Sequence, residues 1–86
     1  MNVRIPTPLR SYTGNVADVS VDGATVADVL ENLDARYPGI RFRVIDEQGR
    51  LRQHMNIFVA GERCRDLTTK LDHVDEVVIM QALSGG

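Results

Sequence analysis

The 86-residue chain has no tryptophan, one cysteine, two histidines, and only two tyrosines and two phenylalanines. Each scarcity excludes something. Cys64, alone, forms no internal disulfide and supplies no four-thiolate zinc site or iron–sulfur cluster. It stands between Arg63 and Arg65, cations that would lower a thiol's pKa, but a small apolar residue in a short strand is the simpler reading. His54 and His73 have neither a helix-spaced ligand nor a neighbouring cysteine, so both are read as surface histidines and no metal is expected. So few aromatics offer little on which to stack bases, and no nucleic-acid partner is expected. No run approaches the roughly 18 apolar residues of a membrane-spanning helix, and the opening MNVRIPTPLR has no signal-peptide core. The expectation is a cytoplasmic protein, monomeric when free and with no membrane partner.

What remains is an ordinary globular composition, 43% hydrophobic and 26% charged, with a formal charge of −2. A single domain of this size buries roughly 60–65% of its unfolded surface. All but one of the ten basic residues are arginine. Several alternate: Arg41 with Arg43, Arg50 with Arg52, Arg63 with Arg65. In extended chain each pair shares one face, expected to be a solvated strand face able to attract an acidic partner.

The order of elements follows from local signals. Asn2–Ile5 alternates as a strand, and Pro6 and Pro8 stop it. Thr13-Gly14-Asn15 is a turn signal, and Val16–Val21 resumes as a second strand of an N-terminal hairpin, with room for a bulge. Thr25 with Asp28 is a capping-box variant at a helix start. Val26, Val29, Leu30, Leu33 and Tyr37 then form one apolar stripe, and Pro38-Gly39 ends the helix. Ile40–Ile45 is ambiguous, and Asp46–Gly49 is a loop or turn. Met55–Val59 is a strand that places Met55, Ile57 and Val59 on one face and Phe58 on the other. Ala60-Gly61 turns the chain into a short segment around Arg63–Arg65. Leu67–Leu71 is predicted as a single helical turn. Glu76–Ala82 is a last strand whose run Val77–Met80 suggests burial on both faces and a central place beside the first strand. Hairpin, helix, strand, short strand, turn and strand make an α+β fold, a β-grasp roll with one main helix packed across a mixed sheet. Residues 1–82 are the expected domain and residues 83–86 a flexible tail.

On this scaffold four stretches carry a family resemblance: PTPLRSYTG near the start, VADVLENLDARYPGI over the helix, MNIFVAGERCR in the middle and DEVVIMQALSGG at the end. The chain resembles the ubiquitin-like β-grasp sulfur carriers of MoaD/ThiS type, and within them the CysO-type branch that serves cysteine synthesis. The likeness covers nearly the whole chain. Val74-Asp75 stands where the family often has Gly-Asp, and no proline stands near Gln81, where the family often has one.

The resemblance implies that the Gly86 carboxylate is the working group of a carrier that is itself no enzyme and binds no cofactor. An ATP-dependent, E1-like activating enzyme adenylates Gly86, and a sulfur donor converts it to a thiocarboxylate. A client enzyme takes the sulfur, and the carboxylate returns for another cycle. In the cysteine-synthesis branch the client is a pyridoxal-phosphate (PLP) enzyme, and a metalloprotease releases cysteine from the terminal glycine. The molybdopterin and thiamine branches use the same carrier chemistry. A ubiquitin-like modifier, whose adenylate is captured by a lysine as an isopeptide, and a noncatalytic interaction module are the alternatives.

The chemistry explains the glycines without the name. A carboxylate is a poor electrophile, and to become a mixed anhydride with AMP it must thread a narrow passage. Side chains beside the reacting carbon would block that passage, whereas Gly85 and Gly86 leave only backbone, preceded by the small Ser84. Ala82–Gly86, extended, reaches at most about 16–18 Å. Phe58, on the far side of its strand from the helix, and Leu83, just past the last strand, are the expected apolar centre of a partner-docking patch with an arginine rim.

Overall fold

The structure, a computed structural model, describes residues 1–82. Five strands form one mixed sheet in the order β2-β1-β5-β3-β4. They are β1 (Asn2–Arg4), β2 (Asp18–Ser20), β3 (Met55–Val59), β4 (Glu62–Cys64) and β5 (Glu76–Gln81). Helix α1 (Val26–Arg36) packs across one face, and a short α2 (Ile40–Val44) follows it. β5 lies in the centre, parallel to β1 with Val3 opposite Val77, and antiparallel to β3 with Ile57 opposite Ile79. This is the β-grasp arrangement expected from the sequence.

The helix-facing side of the sheet and the α1 stripe make a single core. Val3, Ile5, Met55, Ile57, Val77 and Ile79 meet Val26, Val29, Leu30 and Leu33, all essentially solvent-free. α1 starts where its local chemistry says it should, since Thr25 Oγ1 accepts the Asp28 N–H at 3.2 Å. The chain enters that helix through Gly23, where a Cβ would stand 2.6 Å from the Val29 nitrogen. Only glycine allows so close an approach.

Four local expectations are corrected. Ile40–Ile45 is neither strand nor loop over most of its length, because Asp34 Oδ1 accepts the Gly39 and Arg41 N–H groups, both at 3.0 Å. That carboxylate caps α2, and Ile40 and Val44, one turn apart, are buried. Arg41 and Arg43 therefore do not share a strand face. The N-terminal hairpin forms, with β1 antiparallel to β2, but its second strand is shorter than Val16–Val21: Val16 is exposed, and the connection is a 3-10 helix at Thr7–Thr13. Leu67–Leu71 is a turn and not helical, since Asp66 Oδ1 accepts the Thr68 N–H and hydroxyl and Lys70 bridges to Thr25. Finally, β5 is buried on one face only. Val78 is half-buried, and Met80 is 49% exposed.

Two turns set the sheet's edges. Ala60 and Gly61, both at positive φ (52° and 83°), form the two-residue connection between β3 and β4. The turn into β5 is closed by the Val74 N–H on the Leu71 carbonyl, with His73 at φ 61°.

Candidate functional site

The tail residues named from the sequence, Leu83, Ser84, Gly85 and Gly86, lie outside the described residues; the residues that precede them form their root. Pro6 ends β1, because it has no N–H to donate to the ladder and Pro8 follows it. β5 therefore runs on past its parallel partner and keeps only β3 beside it. That pairing continues to the last described residue: Gln81 lies opposite Met55, and the Ala82 N–H donates to the His54 carbonyl at 2.7 Å. The tail leaves from the central strand of the sheet, held on one side alone.

Two surfaces meet at this root. The first is the open face of the sheet, opposite α1. Across it the register sets Asp18, Arg4, Val78, Phe58 and Arg63 in one row, with Met80 beside Asn56 in the next. Phe58 is where the sequence put it, pointing away from the core and half-buried against its cross-strand neighbours. Val78 and Met80 extend the apolar strip towards the tail, and a shallow groove continues it past Pro6, Pro8 and Arg10. Sequence reasoning missed Val78 and Met80 as surface residues because it assigned their apolar run to two-sided burial. Arg4 carries little net charge outward, since its Nε sits 3.3 Å from Asp18 Oδ1. The Asp18 carboxyl is held below its usual range first by the Asn2 side-chain amide and then by Arg4.

The second surface is a collar around the base of the tail, formed by Pro8, Leu9, Arg43, Arg52, His54 and Gln81. Arg43 comes from α2, Arg52 from the segment before β3, and Gln81 from β5. Arg52 is pinned, its Nε donating to the Phe42 carbonyl at 2.8 Å and its guanidinium lying 5.5 Å from the Phe42 ring centroid. Asp46 stands nearby, but its Oδ1 accepts the Gln48 and Arg50 N–H groups of its own turn. The Arg50 N–H is the main reason its carboxyl sits below the usual range, with the charges of Arg50 and Arg52 adding to it.

Cys64 is away from the tail root, at the end of β4. Its Sγ lies 3.2 Å from Thr69 Oγ1 and 3.3 Å from the Asp66 carbonyl, half-buried against the core's edge. Neither flanking arginine turns to it: Arg65 reaches back to the Met55 and Leu51 carbonyls, and Arg63 lies in the open-face row with Phe58. Among the described residues no group of three or more histidine, cysteine or acidic side chains is placed to hold a metal ion, and no helix is long and apolar enough to cross a membrane.

Comparison with known proteins places this geometry. The sulfur carrier protein CysO of Mycobacterium tuberculosis is 38% identical over 91 residues, covering 100% of this chain and 98% of that protein. Its crystal structure superposes with a TM-score of 0.88 over 95% of this chain and 98% of its own. CysO in the Amycolatopsis orientalis BexX/CysO complex gives a TM-score of 0.90 at 33% identity, over 99% of this chain and 98% of that one. The small archaeal modifier protein 3 of Haloferax volcanii is 38% identical over 68 residues, covering 76% of this chain and 73% of that protein. The model of the ThiS family matches residues 3–86, from the first strand through the glycine pair. The chain belongs to the ThiS family.

Proposed function

We propose that this protein is a sulfur carrier whose Gly86 carboxylate is activated and converted to a thiocarboxylate. The observation that carries the reading is that the family match runs through Gly86, so the glycine pair belongs to the matched domain, a few residues beyond the end of its central strand. In sequence the likeness to CysO spans the full chain and that to the archaeal modifier three quarters of it, and the CysO structures superpose with higher TM-scores than the archaeal modifiers do, which favours carrier over modifier.

The steps balance without any catalytic group on this chain. In the activating enzyme a Gly86 carboxylate oxygen attacks the α-phosphorus of ATP and pyrophosphate leaves. A sulfur nucleophile then attacks the acyl carbon and AMP leaves, so one oxygen of the carboxylate is replaced by sulfur. A client enzyme joins the sulfur to its own substrate, and water then hydrolyses the remaining acyl bond, which returns the carboxylate. The CysO likeness favours a PLP-dependent client in cysteine synthesis, with a metalloprotease to release the product. The protein is thus a co-substrate, and the ATP is bound by its partner.

The test is chemical. Purified from its native host without reductive workup, a fraction of the protein should carry the oxygen-to-sulfur mass increase, located on Gly86 and tagged selectively by an electron-poor sulfonyl azide. Lysine-linked adducts with no thiocarboxylate under sulfur-replete growth would transfer the assignment to a modifier.

The open sheet face is the proposed docking surface for the activating enzyme, with Phe58 at its centre and Leu83 following from the tail. Half-buried Phe58 between Val78 and Arg63, with the exposed Met80 in the next row, has the anatomy of a partner site. Phe58→Asp should weaken binding to that enzyme about tenfold or more, the scale of a central interface side chain. Titration calorimetry beside a thermal melt reads both effects. Unchanged affinity with a large drop in melting temperature would make Phe58 a supporting core residue instead.

A further inference from the structure

We infer that the collar around the base of the tail is an electrostatic docking surface, and that it fits an acidic rim at the mouth of the activating enzyme's cleft. The inference rests on the carrier reading. The tail reaches at most about 16–18 Å from Ala82, so its carboxylate can arrive at a buried nucleotide only if the collar is pressed against the mouth of that cleft. Whatever lines the mouth must therefore face Arg43, Arg52 and His54.

The arginines of the collar form no close ion pair. Among the described residues neither Arg43 nor Arg52 has a carboxylate within ion-pair distance, the ion pairs there being Met1–Asp22 and Arg4–Asp18. Asp46, its Oδ1 engaged by its own turn, and the exposed Glu47 lie beside Arg52 and offset part of its charge, whereas no carboxylate lines the collar itself. The Arg52 guanidinium is held in place by the Phe42 carbonyl and ring, so it loses little freedom when it meets a carboxylate. Arg43 is exposed.

The rest of the chain sharpens this. The net charge is −2, so the protein as a whole is not drawn to an acidic surface. Three of its exposed carboxylates, Asp22, Asp75 and Glu76, gather where β1 and β5 begin, the opposite end of the sheet from the tail. The two poles orient the approach: an acidic cleft repels the start of β5 and attracts its end, so the protein arrives tail first.

The experiment is ATP–pyrophosphate exchange catalysed by the host's purified activating enzyme, with this protein as the varied substrate, at low and high salt. Arg43→Glu/Arg52→Glu should raise the KM for the carrier about tenfold or more and leave kcat within about twofold, the pattern of a lost steering contact. High salt should close most of that gap by screening. Arg43→Glu alone should move KM the same way, which keeps the test valid if the double variant does not fold. Asp75→Lys/Glu76→Lys, at the other pole, should not raise KM. An unchanged or lowered KM on reversing the collar, or a gap indifferent to salt, overturns the acidic rim. Deletion of Gly86 in parallel separates the two readings: exchange that survives it defeats the carrier itself, while exchange lost with Gly86 but indifferent to the collar defeats this inference alone.

Discussion

Deletion of Gly86, or replacement of Gly85 by valine, should abolish adenylation and leave the melting temperature within about 1–2 °C of wild type. The two halves of that expectation have separate causes. Adenylation joins AMP to one carboxylate, and removing the last residue puts the Gly85 carboxylate one residue short of the nucleotide, by roughly 3.3–3.6 Å of chain. A misplacement of even about 1 Å costs on the order of a hundredfold in rate, so a whole residue should leave no measurable exchange. A valine at position 85 keeps the length but adds a branched side chain where the passage admits backbone only. Stability is untouched because every buried side chain of the described core lies at or before Ile79. The measurements are ATP–pyrophosphate exchange and a thermal melt on the same preparation. Wild-type exchange in the deleted protein would end both the carrier and the modifier readings, since the two share the adenylate.

How much of this was legible in the sequence depended on how local each cause is. Helix α1 carries its own cap at Thr25 and its own stripe, and the structure starts it at Val26 as the spacing requires. β3 matches the Met55–Val59 reading because its alternation is complete within the strand and Ala60-Gly61 marks its end. α2 was not legible, since the carboxylate that accepts N–H groups at its start is that of Asp34, supplied from the preceding helix after the chain has reversed through Pro38-Gly39. The Leu67–Leu71 segment was predicted as a helical turn, whereas Asp66 holds Thr68 and the β-branched Thr68-Thr69 pair favours extended chain.

The exposed face of β5 was misassigned for a reason that bears on function. An apolar run in a central strand implies two covered faces only if two layers exist, and among the described residues the helices cover one face. Val78 and Met80 are left facing outward with Phe58, next to the tail. Of the candidate site, the glycines could be found from sequence because their chemistry lies in what they lack. The collar could not. Arg43 and Arg52 were each paired in the sequence with the wrong arginine, two residues away, and only the fold brings α2 and the approach to β3 together beside Gln81.

The largest expected effect on stability comes from the α1 stripe. Leu30→Ala and Leu33→Ala should each destabilise the domain by about 2–5 kcal/mol, the range for deleting most of a fully buried leucine. Both side chains are 0% exposed, at the interface between α1 and the sheet. Leu30 belongs with Val26 and Leu33 on the helix face that meets Val3, Ile57 and Val77, and no second layer can move in to refill the space. Domains in general are stable by only about 5–15 kcal/mol, so either change removes a large fraction of the total. At this size about 1 kcal/mol shifts the melting temperature by roughly 4–8 °C, so a fall of at least about 10 °C is expected. Urea titration of both variants gives the free energies directly, and an unchanged m-value would show that the same unit still unfolds in one step. Adenylation measured well below the new midpoint should stay near wild type, because the tail root is held by strand pairing to β3 and not by these leucines. A loss of under about 1 kcal/mol at both positions would mean that the stripe is not packed as described. Loss of adenylation in still-folded protein would mean that α1 helps to hold the end of β5 in place.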